Sequence, residues 1–141
     1  MPVFEPVRAR RVVATPAALD AVAPNGSTSG HGPLWLRLAP DEVLVIGDTT
    51  RPPCPSVGAV RVADPHAIDV LDAGWSGARC DEDVVLDFLS WSTTWPLGGQ
   101  RPLLLQGMAA GVPVKAWLPG SGQALVLVAT AQSYDLQQRW P

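Results

Sequence analysis

Two stretches of similar design constrain what this chain can fold into. Residues 34–47 read LWLRLAPDEVLVIG, and residues 112–130 read VPVKAWLPGSGQALVLVAT. Each sets two short runs of β-branched, aromatic and aliphatic residues on either side of a turn built from Pro with Asp or Gly. That is the pattern of a β-hairpin, because these residues fit a pleated surface while Pro and Gly supply turn dihedrals. Two hairpins commit the chain to antiparallel sheet.

Between the hairpins, VGAVRVADP, AIDVLDAG and GWSGARC read as strands. DEDVVLDFLSWS reads as a helix: Asp81, Glu82 and Asp83 suit the positive end of its dipole, and Val84, Val85, Phe88, Leu89 and Trp91 recur at spacings of three and four. A second helix is expected in AQSYDLQQRW. Residues 14–33, ATPAALDAVAPNGSTSGHGP, cluster Pro, Gly, Ser, Thr and Asn without periodicity and read as an exposed or extended connection. The expected organisation is therefore a flexible or extended segment over 1–33 and one domain over 34–141. The expected class is α+β, a largely antiparallel sheet of hairpins with helices packed on it.

The chain has 141 residues, of which 47% are hydrophobic. A domain of that size buries about 70% of its unfolded surface, so no disulfide staple is needed, and Cys54 and Cys80 read as small buried hydrophobes. The net charge of −3, with no basic cluster beyond RARR at 8–11, argues against a nucleic-acid partner. The longest apolar run, ALVLVATA, falls short of the ~20 residues that span a bilayer, and a soluble, cytoplasmic protein is expected.

Candidate chemistry is sparse. His31, His66 and Cys54 stand at no ligand spacing, so no metal is expected. There is no Gly-x-Ser-x-Gly elbow. GGQ at 98–100, QGMAAG at 106–111 and GSG at 120–122 open no expected helix and read as turns rather than phosphate cradles. Lys115, the only lysine, lacks the dry, cation-flanked setting that a Schiff-base amine requires; it reads as a strand lysine with its stem along Trp117. The six tryptophans demand more explanation. Trp35 and Trp117 share strand faces with Arg37 and Lys115, two positions away, and a face mixing aromatic and charge suits solvent or a partner better than a sealed core.

In order along the chain, LWLRLAPDEVLVIGD, AIDVLDAG and VPVKAWLPGSGQALVLVATAQSYDLQQRW resemble the gamma subunit of heterotetrameric sarcosine oxidase over residues 34–140. Cys80 and Asp81 depart from the Gly-Pro that often precedes that family's middle helix, as does LSWSTTWPLGGQRP from its usual pattern. The resemblance implies a fold like the folate-binding domain of the aminomethyltransferase (glycine-cleavage T protein). In that relative an acidic pair meets the folate. Val114 and Lys115 fall at the matching place, and a cation there can do none of the carboxylate's work.

The resemblance thus implies a non-catalytic subunit without a cofactor of its own, docked on larger flavoprotein subunits. The assembly would oxidise an N-methyl amine using FAD, FMN, NAD and tetrahydrofolate. The expected docking residues are Trp35, Arg37, Lys115, Trp117, Tyr134, Arg139 and Trp140. The alternative is a free-standing enzyme or folate-type binder using Asp69 and Asp72. Their spacing of three on a strand puts them on opposite faces and argues against a working pair.

Overall fold

The computed structural model describes residues 2–23, 33–47 and 55–141. His31, Cys54 and residues 24–32 of the expected connection lie outside the described residues. The elements run β1 (Glu5–Pro6), β2 (Ala9–Val13), α1 (Pro16–Val22), β3 (Leu34–Ala39), β4 (Glu42–Ile46), α2 (Pro55–Ala63), β5 (Ile68–Leu71), β6 (Trp75–Cys80), α3 (Glu82–Ser92), β7 (Leu103–Ala109), β8 (Val112–Leu118), β9 (Ala124–Ala129) and α4 (Thr130–Arg139). The α+β class and both expected hairpins, β3–β4 and β8–β9, are present, with the strands in two antiparallel sheets.

The chain divides into two compact units, one formed by Arg8–Ala73 and the other by Met1–Val7 with Gly74–Pro141. The boundary expected after residue 33 is therefore displaced: β2 is an inner strand of the first unit, and α1 packs on it. The local signals for α1 are chemical rather than periodic. Thr15 caps the helix, its Oγ1 accepting from Ala18 N at 3.3 Å, and Pro16 occupies the first turn, where its missing N–H costs nothing.

The Arg8–Ala73 unit runs β-α-β-β-α-β with sheet order β3-β4-β2-β5, a split β-α-β arrangement in which β4 lies between β2 and β3. Val12, Trp35, Val43 and Val45 come from one face of the sheet. They form a buried cluster with Ala18 and Leu19 of α1 and Val57 and Val60 of α2. VGAVRVADP, expected as a strand, is most of α2. Its valines have strand propensity, but Val57 and Val60 stand one helical turn apart and meet the core together, so tertiary packing overrides propensity.

The second unit orders its strands β1-β6-β9-β8-β7. Val112, Val114, Ala116 and Leu118 of β8 and Ala124, Val126 and Val128 of β9 alternate onto one face. There they meet Val85, Phe88 and Leu89 of α3 and Leu136 and Trp140 at the chain's end. The expected stripe on α3 is wider than its buried part, since Val84 and Trp91 are exposed.

β7 was not expected: QGMAAG reads as a turn, but only Ala110 and Gly111 turn, with φ of 49° and 79°. Gly107 lies inside the strand because Trp95 covers it, and a Cβ there would come within 2.6 Å of the Trp95 ring.

Candidate functional site

The structure separates the expected docking residues. Trp35 and Trp117 are each 3% exposed and Trp140 is 5% exposed, so these three are core side chains, and the expectation that they form an exposed docking plate is corrected. Trp140 stacks on Phe88 with ring centroids 3.9 Å apart and meets Phe4 edge-on.

Arg37 folds back on its own hairpin, donating to Ala39 O at 3.1 Å and Pro40 O at 2.5 Å, and pairs with Asp20 of α1 at 3.0 Å. It is a clamp between turn and helix. Arg139 donates to Ala110 O at 2.6 Å, fixing the β7–β8 turn. Tyr134, 70% exposed, remains available at the surface.

Lys115 is half-buried. Its Nζ donates to Gln106 Oε1 at 3.1 Å and stands 5.3 Å from the centroid of the Trp75 ring, so the aromatic partner of its cation is Trp75, across β9, rather than Trp117. A protonated amine held by a carbonyl oxygen and a π face is stabilised as a cation, the reverse of what a nucleophilic amine needs.

The carboxylates of the alternative reading are also engaged. Asp69, its side chain 7% exposed, receives two hydrogen bonds from Arg10 at 2.8 and 3.1 Å and a further contact from Arg61 at 3.5 Å. Asp72 pairs with Arg11 at 2.9 Å, and Arg11 also bonds Glu42. Arg10 and Arg11 are consecutive in β2, so their partners occupy opposite faces of the sheet and cannot act on one substrate atom. The RARR run that reads as a charge cluster is thus largely internal pairing.

Burial, then the charge of Asp81, raises the Cys80 thiol above its ordinary pKa and keeps it protonated, which removes it as a nucleophile. Among the described residues, no group of three or more His, Cys, Asp or Glu could hold a metal ion. No helix among them is long and apolar enough to cross a membrane. Two of the glycine turns are filled: a Cβ at Gly111 would lie 2.9 Å from Arg139 Nη1, and one at Gly120 would lie 2.7 Å from Arg101 Cβ.

A cavity of about 680 Å³ opens in the second unit. Its lining includes Pro2, Val3, Glu5, Arg79, Cys80, Asp81, Val84 and Trp140. Arg79 is exposed, and its side chain makes no ion pair or hydrogen bond among the described residues. In the first unit, β5 is an outer strand with Ile68, Val70 and Leu71 exposed, an apolar edge of the kind that natural sheets usually protect. Sequence reasoning singled out neither place. AIDVL carried a signal in its apolar alternation, but nothing local says that β5 would be an edge.

No family model matches the sequence, and no curated protein matches it at a significant level. Among solved structures, a chain of the heterotetrameric sarcosine oxidase from Corynebacterium sp. U-96, in complex with pyrrole 2-carboxylate, aligns with a TM-score of 0.68. Identity is 15%, and the alignment covers 94% of this chain and 78% of the other. At that identity the likeness is one of fold, extending over most of both chains.

Proposed function

We propose that this chain is a non-catalytic docking subunit of an amine-oxidising flavoenzyme assembly, similar to the gamma subunit of heterotetrameric sarcosine oxidase. The observation that carries the reading is the fold shared along 94% of the chain with a chain of such an enzyme. The side chains support it, since Asp69, Asp72 and Lys115 all have intramolecular partners and Cys80 is held as a thiol. In this reading FAD, FMN, NAD and tetrahydrofolate are held by other, larger chains. The assembly oxidises an N-methyl amine in the cytoplasm and passes a one-carbon unit to folate. Tyr134 and the exposed β5 edge are surfaces for a partner, while Arg37, Lys115 and Arg139 support the fold beneath.

Purification of the tagged chain from its source cells tests this. The expected result is co-elution of larger flavin-bearing chains in fixed ratio, and a colourless chain once they are removed. A chain that elutes alone, or that holds about one equivalent of flavin by itself, would refute the proposal.

The cavity supports a second reading, a folate-type binder, because its volume lies within the range of about 300–1,000 Å³ typical of ligand sites. Titration with tetrahydrofolate separates the two. Saturable binding by the isolated chain favours the binder, and its absence favours the docking subunit.

A further inference from the structure

The strand ladder on the outer edge of β6 stops early. β1 pairs with it only through Glu5↔Gly77 and Pro6↔Ser76, whereas β6 continues beside β9 through Ala78, Arg79 and Cys80. In an antiparallel ladder every second residue turns its N–H and C=O toward the same neighbour. Val7 N donates to Trp75 O at 3.0 Å, so Trp75 and Gly77 turn toward the β1 side. Arg79, two residues on, turns the same way and meets no strand among the described residues. The space left there is the cavity that Pro2, Val3 and Arg79 all line.

We infer that this slot receives an extended segment of a partner chain, added as a strand to the outer edge of β6 at Arg79, with one carboxylate of that segment bound to the Arg79 guanidinium. Three features of the slot select this occupant. An outward-facing backbone donor and acceptor are what strand addition uses. A guanidinium with no partner among the described residues matches a carboxylate through two parallel hydrogen bonds. Val3 and Val84, both exposed, offer apolar contact to the alternate side chains of the segment.

Glu5 and Asp81 line the same cavity, so a single carboxylate fits and an acidic run is repelled. The inference deepens the reading of the chain as a docking subunit and rests on it.

The probe is an array of terminally blocked hexapeptides of alternating Val, Ile, Leu and Phe, with Glu, Gln or Lys at a central position, incubated with the full chain. Glu peptides are expected to be retained roughly tenfold more strongly than their Gln and Lys counterparts, the ratio that a charge-assisted pair supplies. The best Glu peptide should shift the Arg79 amide resonance of the ¹⁵N-labelled chain and slow its hydrogen exchange. Methylating the peptide's backbone nitrogens should abolish this. Arg79→Gln should erase the preference for Glu over Gln while the chain still melts as a folded protein.

Four results overturn the inference: no peptide retained, retention without a charge preference, shifts confined to residues away from the slot, or acetate alone reproducing the full Arg79 response. The last would mark a site for free carboxylates. Assembly with flavin-bearing chains despite any of these would sink the slot and leave the docking-subunit reading standing. Peptide binding by a chain that never co-elutes with such partners would do the reverse.

Discussion

In the Arg8–Ala73 unit, Arg10, Arg11 and Arg37 stand on strands and each is held by carboxylates of its own unit, whereas in the other unit Arg79 stands on a strand with no ion pair or side-chain hydrogen bond among the described residues. The difference follows from where the strands end. β2 is flanked on both sides, by β4 and β5, and each of its arginines reaches an acid on a neighbouring strand or just past its end. β6 is flanked fully by β9 but only over two residues by β1, so no neighbouring strand carries an acid up to Arg79, and Glu5 and Asp81, which line the same cavity, make no ion pair with it. A charge closed by its own fold serves stability, and a charge left at an incomplete edge is free to serve recognition.

The largest expected effect tests whether buried aromatics belong to the fold rather than to recognition. Trp117→Ala should lower folding stability by about 3–5 kcal/mol, because it empties a large fully packed site. Denaturant titration of the free chain measures this, and a normal melt with lost association would return Trp117 to the partner surface. Next is the closed charge: Asp69→Asn should cost about 2 kcal/mol, since it weakens a charge-assisted pair to Arg10 and strands a guanidinium. If Asp69→Asn instead leaves the melting temperature unchanged and abolishes turnover, Asp69 is chemical and the contrast between the units fails.

Smaller effects sharpen the open side. Lys115→Met should leave turnover of the assembled complex within roughly threefold, in keeping with a partly exposed charge worth about 0.6 kcal/mol or less. Borohydride in the presence of substrate should trap no adduct on Lys115. Arg79→Gln should shift folding stability by less than about 0.5 kcal/mol, the usual range for a surface change that breaks no internal contact.

Much of the fold was legible in the sequence because the information was local. The β3–β4 and β8–β9 hairpins carry their turn residues between apolar runs, and α3 and α4 show helical spacing or charge placement in a single window. α1 was missed because its Thr-Pro start is followed by small residues with little periodicity, and that omission led to another. With no helix expected over β3, the face shared by Trp35 and Arg37 read as open. In the structure Arg37 binds Asp20 of α1, and Trp35 lies in the cluster that α1 and α2 cover. α2 was misassigned because valine favours strands, although its burial follows a helical turn. The open edge at Arg79 had no sequence signal at all, because it depends on where β1, which lies far earlier in the chain and pairs Glu5 with Gly77, stops pairing.

The account is tested most directly by hydrogen exchange, comparing the chain alone with the chain in the complex recovered from its source cells. It predicts that the Arg79 amide, which faces outward from β6, exchanges freely in the isolated chain and slows at least roughly tenfold in the complex, as an edge amide does when a strand pairs with it. An Arg79 amide that exchanges equally fast in both states would contradict it.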